Sequence, residues 1–339
     1  MAKRRANIRD VARKAGVSIA TVSRILNGSG SFSPRTVASV RKAVNQLGYR
    51  RSTGSIVRPR AGSPSVALVI PDVDLVDPHT WDVIRGLYDT ASLQTVGVSL
   101  RVFRGQVDDG AGLDADVSRS GAAGVLFVPG VATASTALAA STTHLPLVFL
   151  ERTLPNRTES ASVADTAQGA YQAARYLLEL GHRDVLYLAG PQELSTERDK
   201  SAGLHRALAE AGLRPAADGQ LDAGFERVTA REVLGARLKR GRDFSAVFAA
   251  SDLLAFGAKE ALDQAGLVVG RDVSLMGFGN IPFAAALGLT TVEVLAYEMG
   301  RNALLELLEL LSGRREEPRR QVVTTGLVIR SSCRRNSAP

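Results

Sequence analysis

The stretch IRDVARKAGVSIATVSRILNG, residues 8–28, contains two short helical patterns separated by one tight turn. In each pattern the apolar residues recur at intervals of three or four, which places them on one face of a helix. They are Ile8, Val11, Ala12 and Ala15 in the first pattern and Val22, Ile25 and Leu26 in the second. Gly16 can end the first helix, and Ser18 can cap the second one. The stretch therefore predicts a helix, a tight turn and a second helix.

A third helix is predicted directly after this stretch. Ser33 and Pro34 are typical of a helix start, a capping residue followed by proline in the first turn, and Gly48 can end the helix. Its apolar stripe consists of Val37, Val40, Val44 and Leu47. Three short amphipathic helices with one tight turn are typical of an all-α helix-turn-helix module that binds DNA, and we place this module at residues 1–50.

Positive charge is concentrated in the same part of the chain. Residues 1–60 contain 14 Lys and Arg against the single acid Asp10, a net charge of +13, whereas the remaining residues contain 28 against 33, a net charge of −5. This asymmetry is expected when one part of a protein binds a polyanion and the rest does not. The alternative is a solvated basic tail, but such a tail has no reason to keep a helical period.

The composition excludes several classes of protein. With 339 residues, 45% hydrophobic and 22% charged, the chain has the size of about two ordinary globular domains. The single cysteine, Cys333, cannot form an intramolecular disulfide, and the N-terminal residues lack the apolar segment of a secretion signal. The charge-free stretch 120–150 is interrupted by prolines and glycines, so no membrane span is predicted. We expect a cytoplasmic protein.

From Ser65 onward, short apolar runs alternate with helical patterns. The runs occupy residues 66–70, 97–103, 124–128, 146–150, 184–190, 246–251 and 272–278. Such alternation is typical of βαβ units with a buried parallel sheet. We therefore predict an α/β core made of two lobes with a cleft between them.

Catalytic motifs are missing from this core. After Gly277 and Gly279, Pro282 stands where a dinucleotide-binding fingerprint needs glycine, and neither a phosphate-binding P-loop nor a GxSxG nucleophile motif occurs. The four histidines have no partner at metal-ligand spacing. We expect no enzymatic activity, no cofactor and no metal site.

The sequence motifs of the N-terminal module and of the core resemble those of the LacI/GalR (lactose-repressor) family of bacterial transcription regulators. In the N-terminal module the shared residues are 8–12, 15–18, 21–24, 27 and 48–49. In the core they are 165–170, 180–183, 202–203, 248–252, 255, 257, 272–274, 277–278, 289–292 and 299–300. The resemblance implies a core similar to the periplasmic sugar-binding fold. It also implies discontinuous lobes within residues 64–339, lobe 1 from about 64–162 and 294–322 and lobe 2 from about 163–293 and 323–331.

The second helix carries the predicted DNA contacts. With its apolar face in the core, this helix presents Ile19, Ala20 and Arg24 to base edges in the major groove, and the resemblance implies that positions 19 and 20 largely set operator preference. Arg24 can donate a pair of hydrogen bonds to guanine, the alternative being a phosphate contact. Thr21, Ser23 and Ser33 are predicted to bind phosphates, the alternative for Thr21 and Ser23 being capping or solvation.

Residues 51–63 are predicted to form a linker, because they are rich in Arg, Ser, Gly and Pro. The resemblance implies that this segment becomes a hinge helix on DNA and inserts an apolar side chain into the minor groove. Ile56 and Val57 are the candidates for that role in this chain. Gly54 and Pro59 disfavour a helix at this position.

The resemblance further implies an effector pocket between the lobes. By motif position it includes Thr80, within Asp77-Pro78-His79-Thr80, and Lys200, Ser251 and Gly279. The further candidates are the polar residues Asp165 and Asp252, and Trp81, because an indole ring could stack on a ligand. The family usually has arginine at position 200, asparagine at 251 and an aspartate for sugar hydroxyls at 279. This chain lacks that carboxylate at position 279 and that planar guanidinium at position 200, so we expect a plain aldohexose to bind poorly. The remaining polar residues favour a modified sugar or a charged metabolite as the ligand. For Asp165 and Asp252 the alternative is that they only cap their helices.

One helix-turn-helix module contacts too few bases for specific binding, so we expect a homodimer on double-stranded palindromic operator DNA. The leucine-rich segment 304–311 could contribute to the dimer or be buried against its own lobe, and no heptad array follows Gly313.

The sequence thus predicts an effector-controlled transcriptional regulator, most simply a repressor. The alternatives are a ligand-independent regulator with a degenerate pocket, a nucleoid-type DNA-binding protein, and a sugar-modifying enzyme with a DNA-binding domain.

Overall fold

The computed structural model describes residues 8–18, 21–22, 32–33, 36–37, 39–40, 42–43, 64–103, 117, 119–130, 145–214 and 219–336. These residues belong to two compact units, Met1–Gly54 and Ser55–Pro339. None of the described helices is long and apolar enough to cross a membrane.

The N-terminal unit begins with helix α1, Ile8–Ala15. Gly16 ends it with a φ of +68°, a conformation that glycine adopts without strain. The hydroxyl oxygens of Ser18 and Ser33 accept hydrogen bonds from the backbone N–H of Thr21 (3.0 Å) and Thr36 (3.1 Å), so each serine caps the helical residues that follow it. One small apolar core joins the segments, and it contains Val11, Ala12, Val22, Val40 and Ala43. This arrangement confirms the predicted helix, turn and capped helix starts.

The described part of the core unit contains twelve strands, seven helices and one short 3-10 helix, Asp72–Val76. The strands are β1 (Ser65–Pro71), β2 (Gly97–Phe103), β3 (Gly124–Phe127), β4 (Leu147–Glu151), β5 (Ser160–Ala164), β6 (Val185–Ala189), β7 (Gln220–Asp222), β8 (Ala246–Ala249), β9 (Ser274–Gly279), β10 (Thr290–Val294), β11 (Arg320–Val323) and β12 (Thr325–Val328). The helices are α2 (Pro78–Gln94), α3 (Thr166–Glu179), α4 (Ser195–Glu210), α5 (Arg227–Lys239), α6 (Asp252–Gln264), α7 (Pro282–Ala286) and α8 (Ala296–Leu311).

The strands form two six-stranded sheets, one in each lobe. The strand order is β11-β5-β4-β3-β1-β2 in lobe 1 and β12-β10-β9-β8-β6-β7 in lobe 2. Every pair is parallel except β10 with β12, in which Thr291 lies opposite Val328. Helices cover the sheets, so β1, β3, β4 and β8 are apolar along almost their whole length. The predicted fold class, two α/β lobes with parallel sheets, is confirmed.

The chain passes between the lobes three times. It leaves lobe 1 after β5 at Asp165, returns after β10 at Leu295, and leaves again after β11 at Thr324. Each lobe is therefore built from two separate parts of the sequence. This connection lets the lobes carry opposing walls of one cleft.

The leucine-rich helix α8 is packed against its own lobe. Leu304 and Leu307 have no exposed surface, and the helix lies against α2. Gly86 and Gly300 permit the close approach, because a Cβ atom on either glycine would come within 2.0 Å of a backbone oxygen of the opposite helix. Of the two interpretations of segment 304–311, the structure therefore favours burial within the lobe.

Candidate functional site

A cleft lies between the two lobes of the core unit. Its empty volume is about 740 Å³, including the part that is open to solvent. The charged and aromatic side chains that line it are Asp77, His79, Glu151, Arg152, Glu197, Lys200, Phe225, Asp252 and Phe278. Several follow the carboxyl ends of parallel strands, Glu151 at the end of β4 and Ser251 after β8, where α/β folds bind their ligands.

Arg152 is the buried cation of the lobe 1 wall. Its Nη1 and Nη2 donate to the two carboxylate oxygens of Asp74, both at 2.8 Å, and Nη1 also donates to the carbonyl oxygen of Pro129 at 3.0 Å. Burial alone would lower the pKa of Arg152, but the attraction of Asp74 outweighs it and raises that pKa. Across the cleft, the guanidinium carbon lies 5.5 Å from the centre of the Phe225 ring in lobe 2. Arg152 is thus a permanent positive charge that touches both lobes.

The carboxylate of Glu151, the residue before Arg152, has fewer hydrogen-bond partners among the described residues. Its backbone has a φ of +65°, in the left-handed region, and its side chain is only 6% exposed. Oε2 lies 3.6 Å from Nη2 of Arg152, whereas Oε1 accepts no hydrogen bond from any described residue and lies 3.9 Å from Nε2 of His79. Burial raises the pKa of Glu151, although His79 and Arg152 oppose the effect.

Lys200 provides the cation of the lobe 2 wall. It projects from α4, and its Nζ donates to the carbonyl oxygen of Ala250 at 2.8 Å. Nζ also lies 3.9 Å from a carboxylate oxygen of Glu197 and 4.9 Å from the centre of the Phe278 ring. Burial lowers the pKa of Lys200, and Glu197 opposes the effect. The ammonium group has one close acceptor among the described residues, so it can donate further hydrogen bonds into the cleft.

Ser251 and Asp252 have different roles at the start of α6. Ser251 caps the helix, since its Oγ accepts from the backbone N–H of Leu254 at 3.2 Å. The Asp252 carboxylate instead accepts from Thr291 Oγ1 (2.6 Å) and from the backbone N–H of Ile281 (2.8 Å), and burial raises its pKa to about 6. The interpretation that Asp252 only caps its helix is therefore wrong, because Ser251 is the cap.

Four of the seven residues predicted for the pocket line the cleft together, namely Lys200, Ser251, Asp252 and Gly279. The structure does not bring the other three to it. Thr80 is buried inside lobe 1, whereas the Trp81 ring is 52% exposed and its Nε1 donates to the carbonyl oxygen of Leu75. Asp165 caps α3, with Oδ1 accepting from the backbone N–H of Gln168 at 3.0 Å.

The direction of each side chain on α2 explains the misplacement of Thr80 and Trp81. Asp77 caps α2 by accepting from the backbone N–H of His79 at 2.9 Å, and Pro78 is the first helical residue. With the helix fixed in this way, His79 lines the cleft, and the two following residues point elsewhere. The predicted segment was therefore correct, but the direction in which each side chain leaves the helix brings His79, and neither Thr80 nor Trp81, to the cleft.

Sequence reasoning missed Glu151 and Arg152. They directly follow the apolar run 146–150, which forms most of β4. Because ligands bind at the carboxyl ends of parallel strands, charged residues directly after such a run were the signal that could have identified them.

The predicted DNA contacts fall partly within the described residues. Thr21 is half-buried and its hydroxyl lies 2.8 Å from that of Ser18, while Ser33 caps the helical residues that begin near Thr36. The Thr21 hydroxyl thus contacts the capping residue Ser18, and the Ser33 hydroxyl caps a helix. The phosphate contacts of both residues stay predictions. The other predicted residues lie outside the described ranges, namely Ile19, Ala20, Ser23, Arg24, Ile56 and Val57.

The sequence matches two family models. One is described as bacterial regulatory proteins, lacI family, and matches residues 7–52. The other is described as a periplasmic binding protein-like domain and matches residues 174–333. The first covers the helix-turn-helix unit, and the second covers most of lobe 2 together with parts of lobe 1.

Characterised relatives match nearly the whole chain. The HTH-type transcriptional regulator CelR of Thermobifida fusca is 30% identical over 345 residues, covering 97% of this chain and 99% of the relative. The HTH-type transcriptional regulator GalR of Escherichia coli (strain K12) is 30% identical over 285 residues, covering 81% of this chain and 80% of the relative. A solved structure of a CelR–cellobiose complex superimposes with a TM-score of 0.74 at 28% identity, covering 97% of this chain and 100% of that one. The protein therefore belongs to the lacI family of bacterial regulatory proteins.

Proposed function

We propose that this protein is a transcriptional repressor that binds a palindromic DNA operator as a homodimer and whose DNA affinity is controlled by a small molecule in the interlobe cleft. The observation that carries the proposal is the presence, in one chain, of a helix-turn-helix core and a two-lobed cleft with charged walls. Relatives named as transcriptional regulators support it. Since its target is chromosomal DNA, the protein acts in the cytoplasm.

The DNA-binding unit recognises DNA through its second helix. Arg24 forms paired hydrogen bonds with a guanine, and Ile19 and Ala20 contact the neighbouring bases by shape and by thymine methyl groups. Thr21, Ser23 and Ser33 lie near phosphates, where backbone amides at helix starts also bind. Because one such unit contacts few bases, two copies on half-sites about one DNA turn apart supply the specificity.

The core unit provides the dimer contact. On lobe 2, Phe283 of α7 is 64% exposed and Leu287, one helical turn later, is 46% exposed. Large apolar side chains grouped on a surface are typical of a protein–protein interface. We assign the contact between two copies of the chain to this surface.

The ligand controls DNA binding by favouring one arrangement of the lobes. Arg152 in lobe 1 stacks on Phe225 in lobe 2, and the backbone N–H of Thr153 donates to Ser195 Oγ across the same gap at 3.0 Å. A molecule between the lobes changes the balance between closed and open arrangements only through contacts that differ between them. A modified sugar or a charged metabolite fits the polar walls better than a plain aldohexose, because Gly279 has no carboxylate for a pair of hydroxyls.

The proposal is tested by selecting DNA sites from a random library with the full chain and measuring the mass of the complex. We expect one two-fold symmetric site with two chains bound, and weaker or stronger binding when a fraction of a metabolite extract is added. Sequence-independent binding that depends only on salt would contradict the proposal. A specific site whose affinity no fraction changes would favour the ligand-independent alternative.

A further inference from the structure

Glu151 has a buried carboxylate oxygen that the described part of the protein leaves without a hydrogen-bond donor. The side chain is 6% exposed and lines the cleft, yet Oε1 accepts nothing from a described residue. Nε2 of His79 lies 3.9 Å from Oε1, which is beyond hydrogen-bonding distance. A buried carboxylate in such surroundings is stabilised by any cation placed beside it.

The two cations of the cleft are each associated with another carboxylate. Arg152 donates both ends of its guanidinium to Asp74 and approaches Glu151 only to 3.6 Å. Lys200 lies on the opposite wall, near Glu197 and hydrogen-bonded to Ala250. Neither is positioned to satisfy Oε1 of Glu151.

Acidic groups outnumber basic groups on the described cleft walls. Four acidic residues line the cleft, Asp77, Glu151, Glu197 and Asp252, against Arg152, Lys200 and the imidazole of His79. Asp74, which neutralises Arg152, adds a further carboxylate behind the wall. An excess of carboxylates on partly buried walls attracts a cationic ligand and repels an anionic one.

We infer that the ligand of this cleft carries a protonated amine and places it beside Glu151. The inference rests on the proposed role of the cleft as an effector site. On the opposite wall, the ammonium group of Lys200 and the hydroxyl group of Ser251 can donate hydrogen bonds to oxygen atoms of the ligand. The class that satisfies both walls is a small amine that also carries hydroxyl groups, as an amino sugar does.

The test compares amines with neutral molecules of the same shape, by calorimetry at constant ionic strength. The pairs are D-glucosamine with D-glucose, D-galactosamine with D-galactose, and 1,4-diaminobutane with 1,4-butanediol. Hydrogen bonds to a charged partner are stronger than neutral ones, so at least one amine is expected to bind about tenfold more tightly than its neutral partner. If no amine binds more tightly than its partner, the inference is wrong.

Glu151→Gln removes the charge and keeps the shape of the side chain. This variant is expected to reduce the preference for the amine to about twofold or less, whereas Glu232→Gln, which removes the same charge from the 67% exposed Glu232 on α5, is expected to retain it. A preference that survives in Glu151→Gln would overturn the inference. Operator selection with the unliganded protein tests the proposed DNA-binding function separately from the proposed ligand. If the protein binds a palindrome specifically but shows no preference for amines, only the inference about the ligand is contradicted.

Discussion

Arg152 donates two hydrogen bonds of 2.8 Å to the carboxylate of Asp74, and so joins the chain after β4 to the 3-10 helix after β1. Both side chains are buried, with 9% and 4% of their surfaces exposed. The pair fixes the guanidinium at the cleft wall, where it approaches both Glu151 and Phe225. An ion pair at this position determines where the cleft carries its charge as well as how lobe 1 is held together.

Breaking this pair is expected to destabilise lobe 1. Asp74→Asn leaves a buried guanidinium without its carboxylate, and the loss of one partner of a buried ion pair costs about 3–5 kcal/mol of unfolding free energy. The measurement is urea unfolding of the full chain followed by circular dichroism. The variant Asp74→Leu/Arg152→Met/Glu151→Gln, which removes the pair together with the charge of the neighbouring Glu151, is expected to be more stable than Asp74→Asn. Equal losses in the two variants would show that the charge is not the cause.

Asp252 is expected to make stability depend on pH. Its pKa is raised to about 6 by burial, so the folded protein binds this proton more tightly than the unfolded chain does. The stabilisation from proton binding is present below the ordinary aspartate pKa and is lost as the pH rises towards 6. For a shift of about two units, Asp252→Asn should gain about 2 kcal/mol relative to the unmodified protein between pH 4 and pH 7.

Unfolding free energies of both proteins across this pH range provide the measurement. The difference between them isolates Asp252, because Glu151, whose pKa is also raised, is common to both proteins. A difference that stays constant with pH would mean that Asp252 is not the responsible group.

Two glycines in helices are expected to respond to alanine in opposite directions. A Cβ on Gly300 of α8 would lie 1.9 Å from the carbonyl oxygen of Val83 in α2, whereas a Cβ on Gly235 of α5 meets nothing within 4 Å. Gly300→Ala should therefore cost about 1–3 kcal/mol or more through overpacking. Gly235→Ala should stabilise the protein by about 1 kcal/mol, because alanine is the better helix former. Thermal unfolding of the two variants gives the comparison, and destabilisation of the same size in both would contradict the packing argument.

Local patterns predicted the elements of this protein better than they predicted its cleft. The caps at Ser18 and Ser33 depend on residues three positions apart, and a buried strand such as β4 is visible as one apolar run. The cleft instead combines side chains from elements that are distant in sequence. Glu151 and Lys200 lie on opposite walls, and nothing in the stretch around either residue indicates the other.

Helical rotation limited the prediction even where the segment was correct. Trp81 was assigned to the pocket because its ring could stack on a ligand, but the cap at Asp77 fixes α2 so that His79 lines the cleft and Trp81 is exposed. Likewise, Asp252 was expected either to bind a ligand or to cap α6. Its actual partners, Thr291 and Ile281, belong to a strand and a loop that only the folded lobe 2 brings close.

Phe283 of α7 and Leu287, the residue that follows this helix, are expected to hold the dimer together. The double substitution Phe283→Glu/Leu287→Glu places like charges on the proposed interface of both copies, and sedimentation velocity should then show monomers. Operator affinity should fall as well, because two DNA-binding units are no longer joined. Leu93→Glu, at an 83% exposed position near the end of α2 in lobe 1, provides the control and should remain dimeric. A dimer that persists in the double variant would place the interface elsewhere.

Arg24 is expected to determine one base pair in each half-site of the operator. Loss of a bidentate arginine–guanine contact costs about 1–3 kcal/mol of binding free energy, so Arg24→Ala should weaken binding and relax the preference at that base pair only. Lys42, which is exposed on the third helix, serves as the comparison, since an alanine there can change only a general attraction to phosphate. The measurement is competition among operators that differ at single base pairs, at fixed salt concentration. A loss of affinity that is uniform across all competitors would show that Arg24 contacts phosphate, whereas a loss confined to one base pair establishes the base contact.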